Sequence, residues 1–182
     1  MSGLVRVVCV TGMPGCGKDE LVSVAQALGF SIVRMGDVVR EEATRRGLPI
    51  TDEAVGGMAH AEREAHGYGI WAERTVPRVR GNRVLVDGLR GRTEVDVFRK
   101  AFGDDLLVVA VHASPKTRYD RMLRRQRKDD AATLEAFRAR DRRELGWGLG
   151  EVIAMADVML VNEGTLDDFR RQAKAALERL HG

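Results

Sequence analysis

Residues 10–20 read VTGMPGCGKDE, and several of these residue types stand where a chain would need them to hold a phosphate. Gly12, Gly17 and Lys18 fit the G-x-x-x-x-G-K pattern of a phosphate-binding loop. Backbone N–H groups must turn inward around the anion there, through conformations that glycine visits cheaply. A helix opening behind the loop aims its positive end at the same anion. Lys18 reaches the β- and γ-phosphates of a nucleotide as a mobile point charge. The run Gly12, Met13, Pro14, Gly15, Cys16, Gly17 and Lys18 is therefore a candidate ATP site. The next position departs from the pattern: Asp19 and Glu20 stand where a serine or threonine would hold magnesium. A carboxylate can replace that hydroxyl, directly or through water, because hard cations take oxygen ligands. The other reading of both acids is that they favour the first turn of a helix.

These residues need a scaffold, and the patterning supplies one. LVRVVCV (4–10) is a buried strand running into the loop, and DELVSVAQALGF a helix with Leu21, Val24, Ala25 and Leu28 on one face. FSIVRMG (30–36) is a second strand, with Asp37 as the cap of the next helix. Residues 51–80 are mostly helical with a break at HGYG. RVLVDG (83–88), DLLVVAVHA (105–113) and DVMLVNEG (157–164) are three further strands; TEVDVFRKAFG and a segment from Thr165 to Leu180 are helices. Strands alternating with helices require crossovers and a parallel sheet covered on both faces.

Composition narrows the class. In 182 residues, 44% are hydrophobic and 31% charged, an ordinary globular balance for one domain. No apolar run approaches the roughly 18 residues of a membrane helix. Cys9 and Cys16 lack the number and spacing of a disulfide framework or zinc site, so the expected location is a reducing cytoplasm. The net charge of +3 is uneven: residues 116–144 hold 11 basic and 6 acidic residues, which points to an anionic partner for that segment. Its only aromatics are Tyr119 and Phe137, so an RNA-binding strip is the less favoured reading.

GMPGCGK, MGDVVR, VLVDGLRGR and RKDD occur in the order and approximate spacing of adenylate kinase and its nucleoside monophosphate kinase relatives. The chain most resembles the uncharacterised archaeal adenylate-kinase-related proteins, which show similar GMPG-GK, DG-R, RD-RE and VNEGTL stretches. The resemblance implies an acceptor segment at MGDVVR, with Asp37 starting a helix and Arg40 on the acceptor phosphate. It implies that Asp87 is a metal residue orienting magnesium-bound water while Arg90 or Arg92 grips the phosphoryl group; Asp19, from its own carboxylate chemistry, is the other metal candidate. It further implies lid arginines at Arg121, Arg125, Arg127 and Arg138, with Arg140 competing for the last role. Asn162 and Gly164 would lie against adenine, and Arg63 would border the acceptor pocket. Two positions differ from adenylate kinase: Gly91 occupies the place of the DGFPRT arginine, and Val95 falls where a glutamine would read the acceptor base.

The combined expectation is a three-layer α/β/α P-loop fold, one domain over 1–182. Its five-stranded parallel sheet is ordered 2-3-1-4-5, with an acceptor-binding helical insertion at about 37–80 and a lid at about 118–148. The expected activity is transfer of the ATP γ-phosphate, with Mg2+, to a small phosphorylated acceptor such as a nucleoside monophosphate. Alternatives are a kinase of the dephospho-coenzyme A type and a nucleotide-gated ATPase acting on RNA or a protein. The expected assembly is a monomer or homodimer.

Overall fold

The computed structural model describes residues 7–125 and 133–181. The elements run β1 (Val7–Thr11), α1 (Lys18–Ala27), β2 (Ser31–Arg34), α2 (Met35–Arg45), α3 (Asp52–His66), α4 (Ile70–Thr75) and β3 (Val84–Asp87). They continue through α5 (Arg92–Phe102), β4 (Leu106–His112), α6 (Pro115–Arg125), α7 (Leu134–Gly146), α8 (Leu149–Ala154), β5 (Val158–Val161) and α9 (Leu166–His181). All strand pairs are parallel and the order is β2-β3-β1-β4-β5, as expected from the sequence.

The central strand shows why the sheet carries a layer on each face. Side chains alternate along a strand, so Val7 and Cys9 enter one core while Val8 and Val10 enter the other. The first core is closed by Met35 and Val38 of α2, Trp71 of α4 and Phe98 of α5. The second is closed by Leu21, Val22 and Ala25 of α1 with Phe169, Ala173 and Leu177 of α9. β1 is buried along its whole length because both neighbours, β3 and β4, are themselves covered. Residues wholly apolar on both faces are what such a strand requires.

Several boundaries differ from the sequence reading. Helix α2 begins at Met35, with Arg34 extended at φ −103°, ψ 119° as its N-cap, so Asp37 lies in the first turn and is not the cap. An acid there still meets the positive helix end. Residues 4–6 of the expected first strand lie outside the described residues. In α7 the buried side chains are Phe137 and Glu144, while Leu134 and Leu145 are exposed. Glu62 of α3 accepts from Arg46 at 2.7 Å and from Arg74, which ties the ends of α2 and α4 to α3.

Candidate functional site

The glycine loop joins the carboxyl end of β1 to α1, where ligands bind in open parallel sheets. Its two defining glycines are required by the backbone. Gly12 has φ 147° and a Cβ there would strike the Val111 carbonyl and Cys16 Sγ. Gly17, the left-handed N-cap of α1 at φ 106°, lies against Asn162 Nδ2, leaving no room for a side chain. Lys18 Nζ donates to the carbonyls of Gly12 (2.6 Å) and Met13 (3.3 Å), so the ammonium already sits within the loop it would share with phosphate.

Asp87, at the end of β3, faces this loop across a cleft of about 350 Å³ that both residues line. Its Oδ1 is buried and has no hydrogen-bond partner among the described residues. Burial pushes its carboxyl above the ordinary carboxylate value and the charge of Asp19 adds to the rise, while Lys18 opposes it. Asp19 lines the same cleft. An orphaned buried carboxylate oxygen beside a second acid, next to a phosphate loop, is a donor set that fits magnesium. That ion is usually held by one or two carboxylates together with substrate phosphates. Among the described residues there is no cluster of three or more His, Cys, Asp or Glu suited to hold a metal without such help. His60 and His66 are exposed on α3 beside Glu64 and Glu62.

The arginines separate into groups that sequence alone does not distinguish. Arg34, Arg40, Arg63, Arg90 and Arg140 line the cleft. Arg40 pairs with Asp37, both half exposed. Arg63 is buried, with Nη2 3.5 Å from Glu94, and burial lowers its pKa from the usual guanidinium value. Arg90 Nε lies 3.5 Å from the buried Glu144. The guanidinium groups of Arg63, Arg90 and Arg143 all lie within 6 Å of the Trp147 ring centre, at 5.3, 5.5 and 5.8 Å. That is cation–π range.

The remaining candidates lie elsewhere. Arg92 is outside the cleft, bound to Asp96 (3.2 Å) and Glu151 (2.8 Å) on the rim of a second, smaller cavity. Arg138 is exposed on α7 and does not reach the cleft. Arg121 is turned to the back of the loop, donating to the Asn162 carbonyl (2.9 Å) and Oδ1 (3.1 Å). Arg125 ends α6, and Arg127 lies outside the described residues. Glu20 pairs with Arg170 of α9 at 3.0 Å, and so has a structural partner away from the cleft. Asn162 is buried and donates from Nδ2 to the Cys16 carbonyl at 2.9 Å, bracing the loop from behind; Gly164 lies beside Asp168 in the turn before α9.

Some supporting residues had no sequence signal. Arg118 of α6 is buried, donates to the Pro14 carbonyl at 3.0 Å and grips Asp141 of α7 through both terminal nitrogens. Glu94 accepts from the N–H groups of Arg90 (2.7 Å) and Gly91 (3.3 Å), fixing the turn that carries Arg90. Glu163 accepts from the backbone and hydroxyl of Ser114 and from Thr117, joining the start of α6 to the turn after β5. Arg118 is buried while Asp141 is partly exposed, so the loss on breaking the pair is that of charge-assisted hydrogen bonds, about 1.5–3 kcal/mol. Arg118→Ala is therefore expected to lower the urea-unfolding free energy by that order, with Arg118→Lys recovering little because one ammonium cannot bridge both Asp141 oxygens.

Comparison with known proteins agrees with this arrangement. The family model described as an AAA domain matches residues 11–138. The UPF0200 protein of Hyperthermus butylicus is 50% identical over 186 residues, covering 100% of this chain and 99% of that protein. That of Thermoplasma volcanium is 45% identical over 172 residues, covering 94% of this chain and 96% of its own length. Among solved structures, a gluconokinase from Sinorhizobium meliloti has a TM-score of 0.61 at 20% identity, over 98% of this chain and 94% of its own. Shikimate kinase from Acinetobacter baumannii, in complex with shikimate, has a TM-score of 0.61 at 15% identity, over the same shares of the two chains. At those identities the likeness is one of fold, that of P-loop kinases, and the likeness to adenylate kinase remains one of short motifs. With relatives this similar over their whole length, the chain belongs to the archaeal UPF0200 family, and it carries a kinase-like P-loop domain.

Proposed function

We propose that the protein transfers the γ-phosphate of ATP to the phosphate of a small phosphorylated acceptor, with magnesium. The observation that supports this most is a single cleft lined both by the Lys18 loop with Asp87 and by Arg34, Arg40, Arg90 and Arg140. Transfer between two phosphates brings several negative charges together, and positioning with charge neutralisation does most of the catalysis. Loop N–H groups and Lys18 hold the donor phosphates. Asp87 and Asp19 would hold the magnesium ion, which supplies further neutralisation of the charge on the phosphate oxygens. Arginine forks bind phosphate oxygens in pairs and stay charged throughout. Buried Glu94 and Glu144 hold Arg63 and Arg90 in place.

In this reading the chain is one domain, α2 to α4 form the acceptor side, and α6 and α7 stand over the donor side. Nucleoside monophosphates are the first acceptors to assay, on the strength of the motif likeness. ADP release from Mg-ATP, measured alone and with AMP, CMP, UMP, GMP or dephospho-coenzyme A, tests it directly. Acceptor-dependent release is the expected result. Slow release that no small acceptor stimulates would sink it, and would favour a nucleotide-gated module with a macromolecular partner.

A further inference from the structure

Two of the cleft arginines are held by a residue that does not itself line the cleft. Arg63 and Arg90 line both the cleft and the smaller cavity, whereas Trp147 lines the smaller cavity and not the cleft. Trp147 caps the end of α7, and Gly148, left-handed at φ 93°, turns the chain from there into α8. The ring centre lies 5.3 Å from the guanidinium carbon of Arg63 and 5.5 Å from that of Arg90. The Trp147 backbone is seated on the turn that carries Arg90: a Cβ on Gly91 would meet its carbonyl oxygen at 3.0 Å. Glu94 ties the same pieces together, accepting from the Arg90 and Gly91 N–H groups and lying 3.5 Å from Arg63 Nη2.

Acids do not hold the two arginines equally. Arg63 is buried, and Glu94 faces one of its terminal nitrogens. The Arg90 side chain is 44% exposed, and Glu144 approaches it at Nε, at 3.5 Å, beyond the usual hydrogen-bond range. Such a contact supplies charge without aiming the terminal fork. An aromatic ring does aim it, because a guanidinium is drawn over the ring face and stacks there. We propose that Trp147 is a positioning residue, whose ring holds the Arg90 guanidinium ready for the acceptor phosphate in the cleft. The identity of that anion as an acceptor rests on the phosphotransfer reading above; the aiming of Arg90 rests on the ring and on the long acid contact. An unheld guanidinium gives up its rotamer freedom when it closes on an anion, which weakens binding by about 2–10-fold.

Calorimetric titration of the whole chain, with magnesium and a non-hydrolysable ATP analogue filling the glycine loop, tests this role. The probes are inorganic phosphate, AMP, GMP, CMP and UMP. Trp147→Leu should weaken the probes that bind the wild-type chain by about 2–10-fold, while Trp147→Phe, which keeps a ring, stays within about twofold. The deciding measurement is the double-mutant cycle: in the Arg90→Ala background, Trp147→Leu should cost less than about twofold, because the side chain it acts through is gone. Arg90→Gln closes the cycle if the alanine variant binds too weakly to measure. Circular dichroism checks the fold, and Trp147→Met repeats the test if the leucine variant unfolds. Unchanged binding in Trp147→Leu, an equal loss in Trp147→Phe, the full loss repeated without Arg90, or no binding of any probe by the wild-type chain would overturn the proposal. The expected coupling with no ADP release from Mg-ATP would sink phosphotransfer and leave Trp147 aiming an anion-binding arginine. Acceptor-dependent release with additive losses would do the reverse.

Discussion

Lys18→Ala should lower ATP turnover by about 10²–10³-fold, the usual cost of removing one preorganised electrostatic partner of a reacting group. The loop itself should survive. Gly12 and Gly17 lie against Val111, Cys16 and Asn162, and of these only Cys16 also meets the ammonium, through Sγ at 3.8 Å. The variant does lose three donations, to the Gly12 and Met13 carbonyls and to Cys16 Sγ, so a modest fall in stability accompanies the loss. A thermal melt alongside ADP release separates the two effects. Turnover that persists within tenfold of wild type would show that the nucleotide phosphates are held elsewhere, and with them the proposed reaction would be lost.

Asp87→Asn should pull activity and stability in opposite directions. Turnover should fall and the magnesium requirement rise, by about 10–100-fold, the range seen when a residue supporting a metal site is lost. The free protein should become more stable, because the variant no longer buries an unpartnered carboxylate. Stabilising changes at strained functional positions are commonly worth about 0.5–2 kcal/mol. The pH dependence carries the same message. Asp87 titrates above its ordinary value of 3.8 in the folded chain. Between the unfolded and folded values the folded state keeps a proton that the unfolded state has lost, so wild-type stability falls as pH rises through that window. Glu94, raised by its own burial, contributes with the same sign. The difference between wild-type and variant unfolding curves, followed upward from about pH 4, isolates the Asp87 part. A variant less stable than wild type at neutral pH would show that the carboxylate is compensated in the free protein.

Features encoded in local geometry could be read from residue order alone. The glycine loop was legible because Gly12 and Gly17 occupy backbone conformations closed to other residues, and Lys18 follows at the one place where a helix must begin. The alternation of apolar strands with amphipathic helices implied the parallel sheet, since such strands cannot be joined without crossovers. The carboxyl-end placement of Asp87 followed from the same pattern. Even the cap of α2, placed at Asp37 and found at Arg34, was missed by three residues only, because a short polar residue resembles a cap whether or not the helix has already begun.

The fate of the charged side chains, by contrast, emerges only when the layers come together. The chain spends far more arginine than any phosphate site needs, and on sequence each one in residues 118–143 looks alike. Arg118 and Arg121 both sit on α6, yet one grips Asp141 and the Pro14 carbonyl while the other turns to Asn162. Arg90 and Arg92 flank one glycine, yet only Arg90 lines the cleft, because Glu94 fixes the turn between them and Glu151 draws Arg92 outward. These partners are distant in sequence, and a guanidinium on a long stem goes where burial and counter-charge are found. Periodicity can say which face of a helix is apolar, but the acids that claim each arginine are brought within reach only when the layers pack.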